Sequence, residues 1–391
     1  MRGKRDSEQQ KPGSPPLRSF ADRYAEVGGF GPGFDAVRLF LCYEVLVWHA
    51  WTVGAGSSAP GKASPVWMAF EAMVPMFFAL SGFLVAGSAQ RLPVGQFLLS
   101  RALRILPALA FVVGLTALII GPLMTDRRGP AYFLDPRFTS YFLNIIGVVR
   151  YELPGVFMES QLGAAVNGSL WTVPWEIGCY FVMASFMVAG LAGRAWLFAT
   201  VGLAWVLAAV GYEHLFPSEM PGTIHKLLRF GLTSPGALLI PYFLTGAALH
   251  FARARIPWNG WIAAAMAAVL VAGSLLLDGT IWSRTALVAL LGLYPCVYLV
   301  AYLGLHHLPR PPGFRGGDYS YGIYLCHFPL LQAFHVAFGF QHWGLLLAVA
   351  LPPATLFAMA SWHLIESPML AQRKRLSLLG QRLAARVRPA P

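Results

Sequence analysis

The stretch Phe34–Ala50, FDAVRLFLCYEVLVWHA, decides how this chain is read. It opens the first long apolar segment and carries Arg38 and His49 eleven residues apart. At about 100° per residue, eleven steps make about three turns, so both side chains lie on one helix face, roughly 16 Å apart along the axis. One cation then sits at a membrane edge and one titratable ring near the bilayer middle. Such groups are costly in hydrocarbon and usually face a cavity or a pathway. Taken alone, the pair is explained as well by a snorkelling arginine and an unrelated interior histidine.

Outward from this segment the composition agrees. The 391 residues are 57% hydrophobic and 12% charged, with a mean hydropathy of +0.58, too apolar for an ordinary soluble core. Apolar stretches near twenty residues, long enough for about 30 Å of hydrocarbon, fall at 37–55, 66–88, 105–124, 169–191, 195–212, 230–251, 259–277, 280–303, 319–338 and 343–364. The expected fold class is therefore all-α, a polytopic membrane bundle of about ten transmembrane helices.

The net charge of +12 is distributed by side. With the N-terminus cytoplasmic, most Lys and Arg residues fall on the inner face; the outer face keeps Lys62, Arg127, Arg128, Arg137, Arg150, Lys226, Arg229 and Arg284. The positive-inside rule then puts both termini in the cytoplasm. The basic tails read as anchors at an anionic leaflet, with no nucleic acid as partner. Residues 1–33 read as a disordered cytoplasmic lead without a cleaved signal, 34–369 as the transmembrane domain and 370–391 as a basic cytoplasmic tail.

Other signals bound the chemistry. Cys42, Cys179, Cys296 and Cys326 lie inside expected spans without CxxC spacing and read as packing residues. HExxH, P-loop and dinucleotide fingerprints are absent from the sequence, so neither metal nor nucleotide-hydrolysis chemistry is indicated and no permanently bound cofactor is expected. Between Met124 and Ser169 the run Phe138–Val149 is too brief to span and reads as interfacial or re-entrant. Glu152, Glu159, Gln161 and Asn167 follow, polar enough for an external vestibule that hydrogen-bonds a hydroxylated acceptor. RALR, Arg101 to Arg104, follows the second span and precedes Pro107. Two guanidinium groups three residues apart share a face and match phosphate oxygens. Positive-inside topology alone also produces such a pair. With Arg38 on the same side they form a candidate polyanion site, and coenzyme A fits it, phosphates at the arginines and thioester near His49.

In this order the motifs resemble acyltransferase family 3, the bacterial-type integral-membrane O-acyltransferases that act on carbohydrates and related acceptors. The opening helix with Arg38 and His49 resembles the family's arginine–histidine element; MFFALSGFLV, Met76 to Val85, its FFxxSGFL segment; and FLLSRALRILPAL its RxxR element. NGSLWTVPWEIGCYF, Asn167 to Phe181, resembles the block that carries its glutamate; GDYSYGIYLCHFPLL the SYxxYLxH block; and HLIESPM the closing ExP.

The resemblance implies a role for each site. His49 is expected as general base on the acceptor hydroxyl or as transient acyl carrier. Glu176 is expected as its acidic partner or as a carboxylate positioning the acceptor, with a structural ion pair as the alternative. Arg38, Arg101 and Arg104 are expected to hold the phosphates of acyl-CoA, the co-substrate, and Asp35 to orient Arg38. Ser81, beside Gly82, reads first as packing. Trp171, Trp175, Tyr319, Tyr321 and Tyr324 are candidates to stack on a sugar ring, or simply belong to aromatic belts. His327, His363 and Glu366 are expected to stabilise the bundle or line its mouth, and Glu44 to meet a partner on a neighbouring helix. No second, extracytoplasmic hydrolase-like domain is expected. The expected activity is transfer of an acyl group, acetyl first, from cytosolic acyl-CoA to a hydroxyl of a carbohydrate or glycolipid acceptor, at a bacterial inner membrane. The competing class is a transporter or flippase in which Arg38, His49 and Glu176 form an anion or proton path.

Overall fold

The structure is a computed structural model that describes residues 18–56, 67–127, 129–160, 163–216, 221–277, 285–310, 313–340, 342–373 and 375. Among these residues the regular structure is helical, with two isolated β-bridges, Ser19 to Pro257 and Thr125 to Val156. Helices of seven residues or more are numbered in chain order: α1 (Phe20–Glu26), α2 (Phe34–Ala55), α3 (Trp67–Arg91), α4 (Val94–Leu115), α5 (Val173–Val188), α6 (Ala195–Leu215), α7 (Thr223–Thr233), α8 (Leu239–Ala252), α9 (Gly260–Leu276), α10 (Thr285–Gly304), α11 (Ser320–Phe338) and α12 (Trp343–Ser361).

Among the described residues six stretches are long and apolar enough to cross a membrane: Phe34–Ala55, Trp67–Arg91, Val94–Met124, Ala195–Leu215, Ala286–Gly304 and Trp343–Ala371. Leu239–Ala252 and Gly260–Leu276 are shorter apolar helices. These helices fit an integral membrane protein. The four cysteines are buried and free, as packing residues should be.

Two expected spans are redrawn by proline. The stretch 230–251 is divided: amphipathic α7 ends before Ser234, which is extended (φ −61°, ψ 146°) ahead of Pro235, and α8 starts only at Leu239. The residue before proline is pushed out of the helical region, which is why one apolar run becomes two helices. Conversely, α4 starts at Val94, so Arg101 and Arg104 lie inside a helix and Pro107 is an interior residue. The apolar chain around Pro107 offers no alternative partner for backbone groups, and the helix carries through the lost hydrogen bond.

Proline also shapes the chain where α4 and α12 run on. Each passes into a π-helical turn, Thr116–Ile120 and Trp362–Glu366, that ends two residues before a proline, Pro122 and Pro368. A proline ring crowds the carbonyl four residues back, and a widened turn relieves that clash. The second of these turns brings Trp362 and Glu366 to the site described below.

The bundle is drawn tight by two glycines. α3 and α8 pack so closely that a Cβ on Gly82 would collide with the Phe243 carbonyl, and one on Gly246 with that of Ala79. α2 is held by α3, α11 and α12. Residues 18–33, assigned to the lead by sequence, contain a folded piece. Ser19 caps α1 with Asp22, Phe20 is fully buried, and the Arg18 and Arg23 guanidinium groups lie over Trp258 at 5.5 and 5.0 Å. The remainder of the lead, 1–17, and most of the tail, 374 and 376–391, lie outside the described residues. The run Phe138–Val149 does not span; it is a short helix, Pro136–Tyr141, and a 3-10 turn, Phe142–Ile146, packed on the end of α4.

Candidate functional site

At one end of the bundle, arginines converge on Asp318 in the loop before α11. Arg38 donates to its Oδ2 at 2.8 Å and Arg104 at 2.6 Å, while the Ser320 hydroxyl donates to Oδ1 at 2.5 Å. Burial pushes the Asp318 carboxyl up, but Arg104 and Arg38 beside it, with the Ser320 hydrogen bonds, hold it well below the usual carboxylate range. Asp35 joins from the first turn of α2, accepting from Arg38 at 3.0 Å and from Arg310 at 2.5 Å. Arg104 also donates to Glu366 at 3.1 Å; Glu366, 1% exposed, accepts a further hydrogen bond from Ser361. Trp362 and Tyr321 flank the Arg104 guanidinium at 5.6 and 5.7 Å.

Arg101 differs from both. It makes no salt bridge among the described residues, though Glu176 stands within electrostatic reach; its Nε donates to Ser100 at 3.3 Å and its guanidinium lies 5.9 Å from the Tyr180 ring. Together with Arg38, Arg104, Arg310 and Arg373 it lines an open mouth of about 490 Å³ in which the facing carboxylates are Asp35 and Asp318. The mouth is therefore cationic on balance, with Arg101 available to an incoming anion.

Three cavities follow in series. Arg38, Arg101 and Arg104 line both the mouth and a middle cavity of about 150 Å³, whose walls include Phe77, Ser81, Glu176, Tyr180, Tyr321 and Tyr324. Val74 and Tyr324 then line both the middle cavity and a chamber of about 420 Å³ walled by Trp48, His49, Phe70, Glu71, Trp171 and Tyr242. The shared walls set the three cavities next to one another, from the arginines to His49. The one-face spacing of Arg38 and His49 in α2 is compatible with this arrangement.

His49 is not joined to Glu176. Its Nδ1 lies 2.8 Å from Nε2 of His327, which stands in the middle of α11, is fully buried, and has its Nδ1 3.0 Å from the Ile323 carbonyl oxygen. The two rings stack with centroids 5.0 Å apart, and Phe328 closes edge-on against His49 at 5.1 Å. Glu176 faces the middle cavity instead and accepts from the Tyr180 hydroxyl at 2.6 Å, one turn along α5. Ser81 lines this cavity as well, while the close packing belongs to its neighbour Gly82.

The expected external vestibule is not assembled by Asn167. That side chain is 1% exposed; it donates to the Leu325 carbonyl and accepts from Ser169, pinning the 3-10 turn Gly168–Thr172 against α11. Gly168 lies there beneath the Phe328 ring, which a Cβ would strike at 2.8 Å. Gln161 lies outside the described residues. The aromatic candidates are dispersed: Trp171 lines the His49 chamber, Tyr321 the middle cavity and Tyr324 both, whereas Trp175 packs on Phe230 and Tyr319 bonds His363. Glu44 is half-buried and meets no hydrogen-bond or ion-pair partner among the described residues. Asp318 was missed by sequence reasoning, although it stands two residues before the serine of the SYxxYLxH block. Its signal was a lone acid at a helix start facing two separately noted arginines.

The chain belongs to acyltransferase family 3, described as an acyltransferase domain, which matches residues 32–363. Over 386 residues it is 29% identical to nodulation protein 10 of Rhizobium leguminosarum bv. viciae, covering 91% of this chain and 97% of that protein. Over 379 residues it is 26% identical to the O-acetyl transferase of Shigella phage Sf6, covering 88% and 98%. No solved structure matches the chain.

Proposed function

We propose that this protein transfers an acyl group, acetyl first, from cytosolic acyl-CoA to a hydroxyl of a carbohydrate-containing acceptor at a bacterial inner membrane. The reading includes about ten spans with both termini cytoplasmic. The observation that carries it is the line of cavities from the arginine mouth to His49. A coenzyme has a polyanionic head and a thin arm, and here a basic mouth of about 490 Å³ is followed by a cavity of about 150 Å³. The name of the phage relative, O-acetyl transferase, favours acetyl as the group and oxygen as the acceptor atom.

In this mechanism Arg101 meets the phosphates first, while Arg38 and Arg104, held by Asp318, keep the mouth positive. The arm lies in the middle cavity, where Glu176 and Ser81 offer polar contacts. In the chamber His49 takes the proton of the acceptor hydroxyl as its oxygen bonds to the thioester carbonyl carbon. The carbon–sulfur bond then breaks, and the departing thiolate receives the proton from His49. A positioned base of this kind contributes about 10²–10⁴ in rate.

The test uses purified protein in lipid with radiolabelled acetyl-CoA, wild type beside His49→Ala. Saturable donor binding is expected in both, and label transfer to a hydroxylated carbohydrate acceptor in wild type alone. Transfer at the wild-type rate by the variant would remove His49 from the chemistry. Folded protein that binds no donor, yet moves substrate across the bilayer, would favour the transporter reading.

A further inference from the structure

We infer that His327 fixes the tautomer of His49 and so presents an unprotonated Nε2 to the chamber. The inference deepens the acyl-transfer reading and rests on it. It starts from the Ile323 carbonyl, an oxygen that can only accept. His327 Nδ1, 3.0 Å away, must therefore carry a proton. In a neutral imidazole the other nitrogen is then an acceptor, and His327 Nε2 lies 2.8 Å from His49 Nδ1. The hydrogen in that bond has to come from His49. A neutral His49 has then placed its one ring proton on Nδ1, which leaves the lone pair on Nε2.

The surroundings hold this arrangement. His327 is fully buried on the protein side of His49, and the His49 ring lines the chamber. Among the described residues His49 Nε2 has no hydrogen-bond partner, so none of their side chains competes for its lone pair with an incoming hydroxyl. His327 on one side and the Phe328 edge on another stop the ring from swivelling. When Nε2 takes the acceptor's proton, the bond from Nδ1–H to His327 becomes charge-assisted and strengthens as the imidazolium forms. His327 touches no reacting atom. It is a positioning residue that does for His49 what a carboxylate does in other base-assisted sites.

The experiment compares wild type, His327→Gln and His327→Leu in lipid nanodiscs. A glutamine amide oxygen can accept from His49 Nδ1–H, and leucine cannot. The leucine variant is expected to lose about 10²-fold or more in kcat with KM for acetyl-CoA and donor binding unchanged, within the range a general base supplies. Glutamine should restore kcat to within about tenfold of wild type. ¹⁵N spectra of histidine-labelled protein are expected to show His49 protonated at Nδ1 and bare at Nε2 in wild type and the glutamine variant, with the opposite tautomer appearing in the leucine variant. Equal loss in both variants, or a wild-type His49 protonated at Nε2, would overturn the inference. Because the spectra need no turnover, a correct tautomer in a protein that transfers no acyl group would sink the acyl-transfer reading and leave the histidine pair standing.

Discussion

Arg38 donates to Asp318 across 2.8 Å, tying the start of α2 to the start of α11, and the same two helices meet again at His49 and His327. The arginine mouth and the histidine pair thus share one helix pair, α2 and α11, tied together at two levels.

Loss of charge at Asp318 should loosen the first of these ties. Asp318→Asn keeps the shape but leaves two guanidinium groups short of an anion, and removing one partner of such a network costs about 3–5 kcal/mol when nothing replaces it. Asparagine retains part of the hydrogen bonding, so about 1–3 kcal/mol is expected near neutral pH. The sign with pH follows from the carboxyl being held below its unfolded value of about 3.9. Its contribution is fully present above that value and fades as pH falls below it. Thermal melts should show a wild-type advantage at pH 7 that narrows towards pH 3; a gap constant over this range would contradict the ion-pair account.

Arg101 and Arg104 share a motif but should separate in their effects. Arg104 is 22% exposed and bonded to Asp318 and Glu366, so Arg104→Ala is expected to destabilise the fold by about 3–5 kcal/mol. Arg101→Ala should leave the melting temperature nearly unchanged, as substitutions away from such networks do. Its expected loss is about 10- to 100-fold in acetyl-CoA affinity, the value of one charge-assisted hydrogen bond. Added salt should erode wild-type binding more than that of the variant. Equal affinity in wild type and Arg101→Ala would place the phosphates elsewhere.

How far the sequence reached follows from which relationships are local. Arg38 and His49 could be put on one helix face because eleven residues on one helix fix their geometry. The pairing of Glu176 with Tyr180 was equally open to view at four residues' spacing, and was passed over for a partner in the chemistry. The partners of Asp318 and His327 were out of reach for a different reason. They come from α2 and α4, and neither periodicity nor charge pattern says which helices touch. Helix ends went astray at Pro235 and Pro107, where one proline breaks the chain and the other is carried through.

The crossing of α3 and α8 makes a prediction about stability alone. Gly82 and Gly246 each lie against the opposite backbone, so an added methyl forces the helices apart. Gly82→Ala and Gly246→Ala are each expected to cost about 1–3 kcal/mol, the usual penalty of overpacking. The double variant should cost less than the sum, because one separation relieves both collisions. Gly114, whose Cβ would meet nothing within 4 Å, is the control, and Gly114→Ala should not destabilise. Melting temperatures in one detergent measure all four, and an additive double variant would mean that the two glycines act independently.

The middle cavity is the smallest of the three on the proposed path, and filling it should separate the two ends of the site. Ser81 lines that cavity, which at about 150 Å³ is small enough for an indole to occupy. Ser81→Trp is therefore expected to stop the arm of acetyl-CoA while leaving the arginine mouth open. Adenosine 3′,5′-bisphosphate, which has phosphates but no arm, should bind the variant about as well as wild type. Acetyl-CoA should lose affinity to the level of that fragment, and transfer should fall by at least 10²-fold, since a thioester kept from His49 forfeits the proximity on which the step depends. Ser81→Ala, which adds no bulk, should keep most activity. Wild-type turnover by the tryptophan variant would mean that the acyl group reaches His49 by a route that avoids the middle cavity.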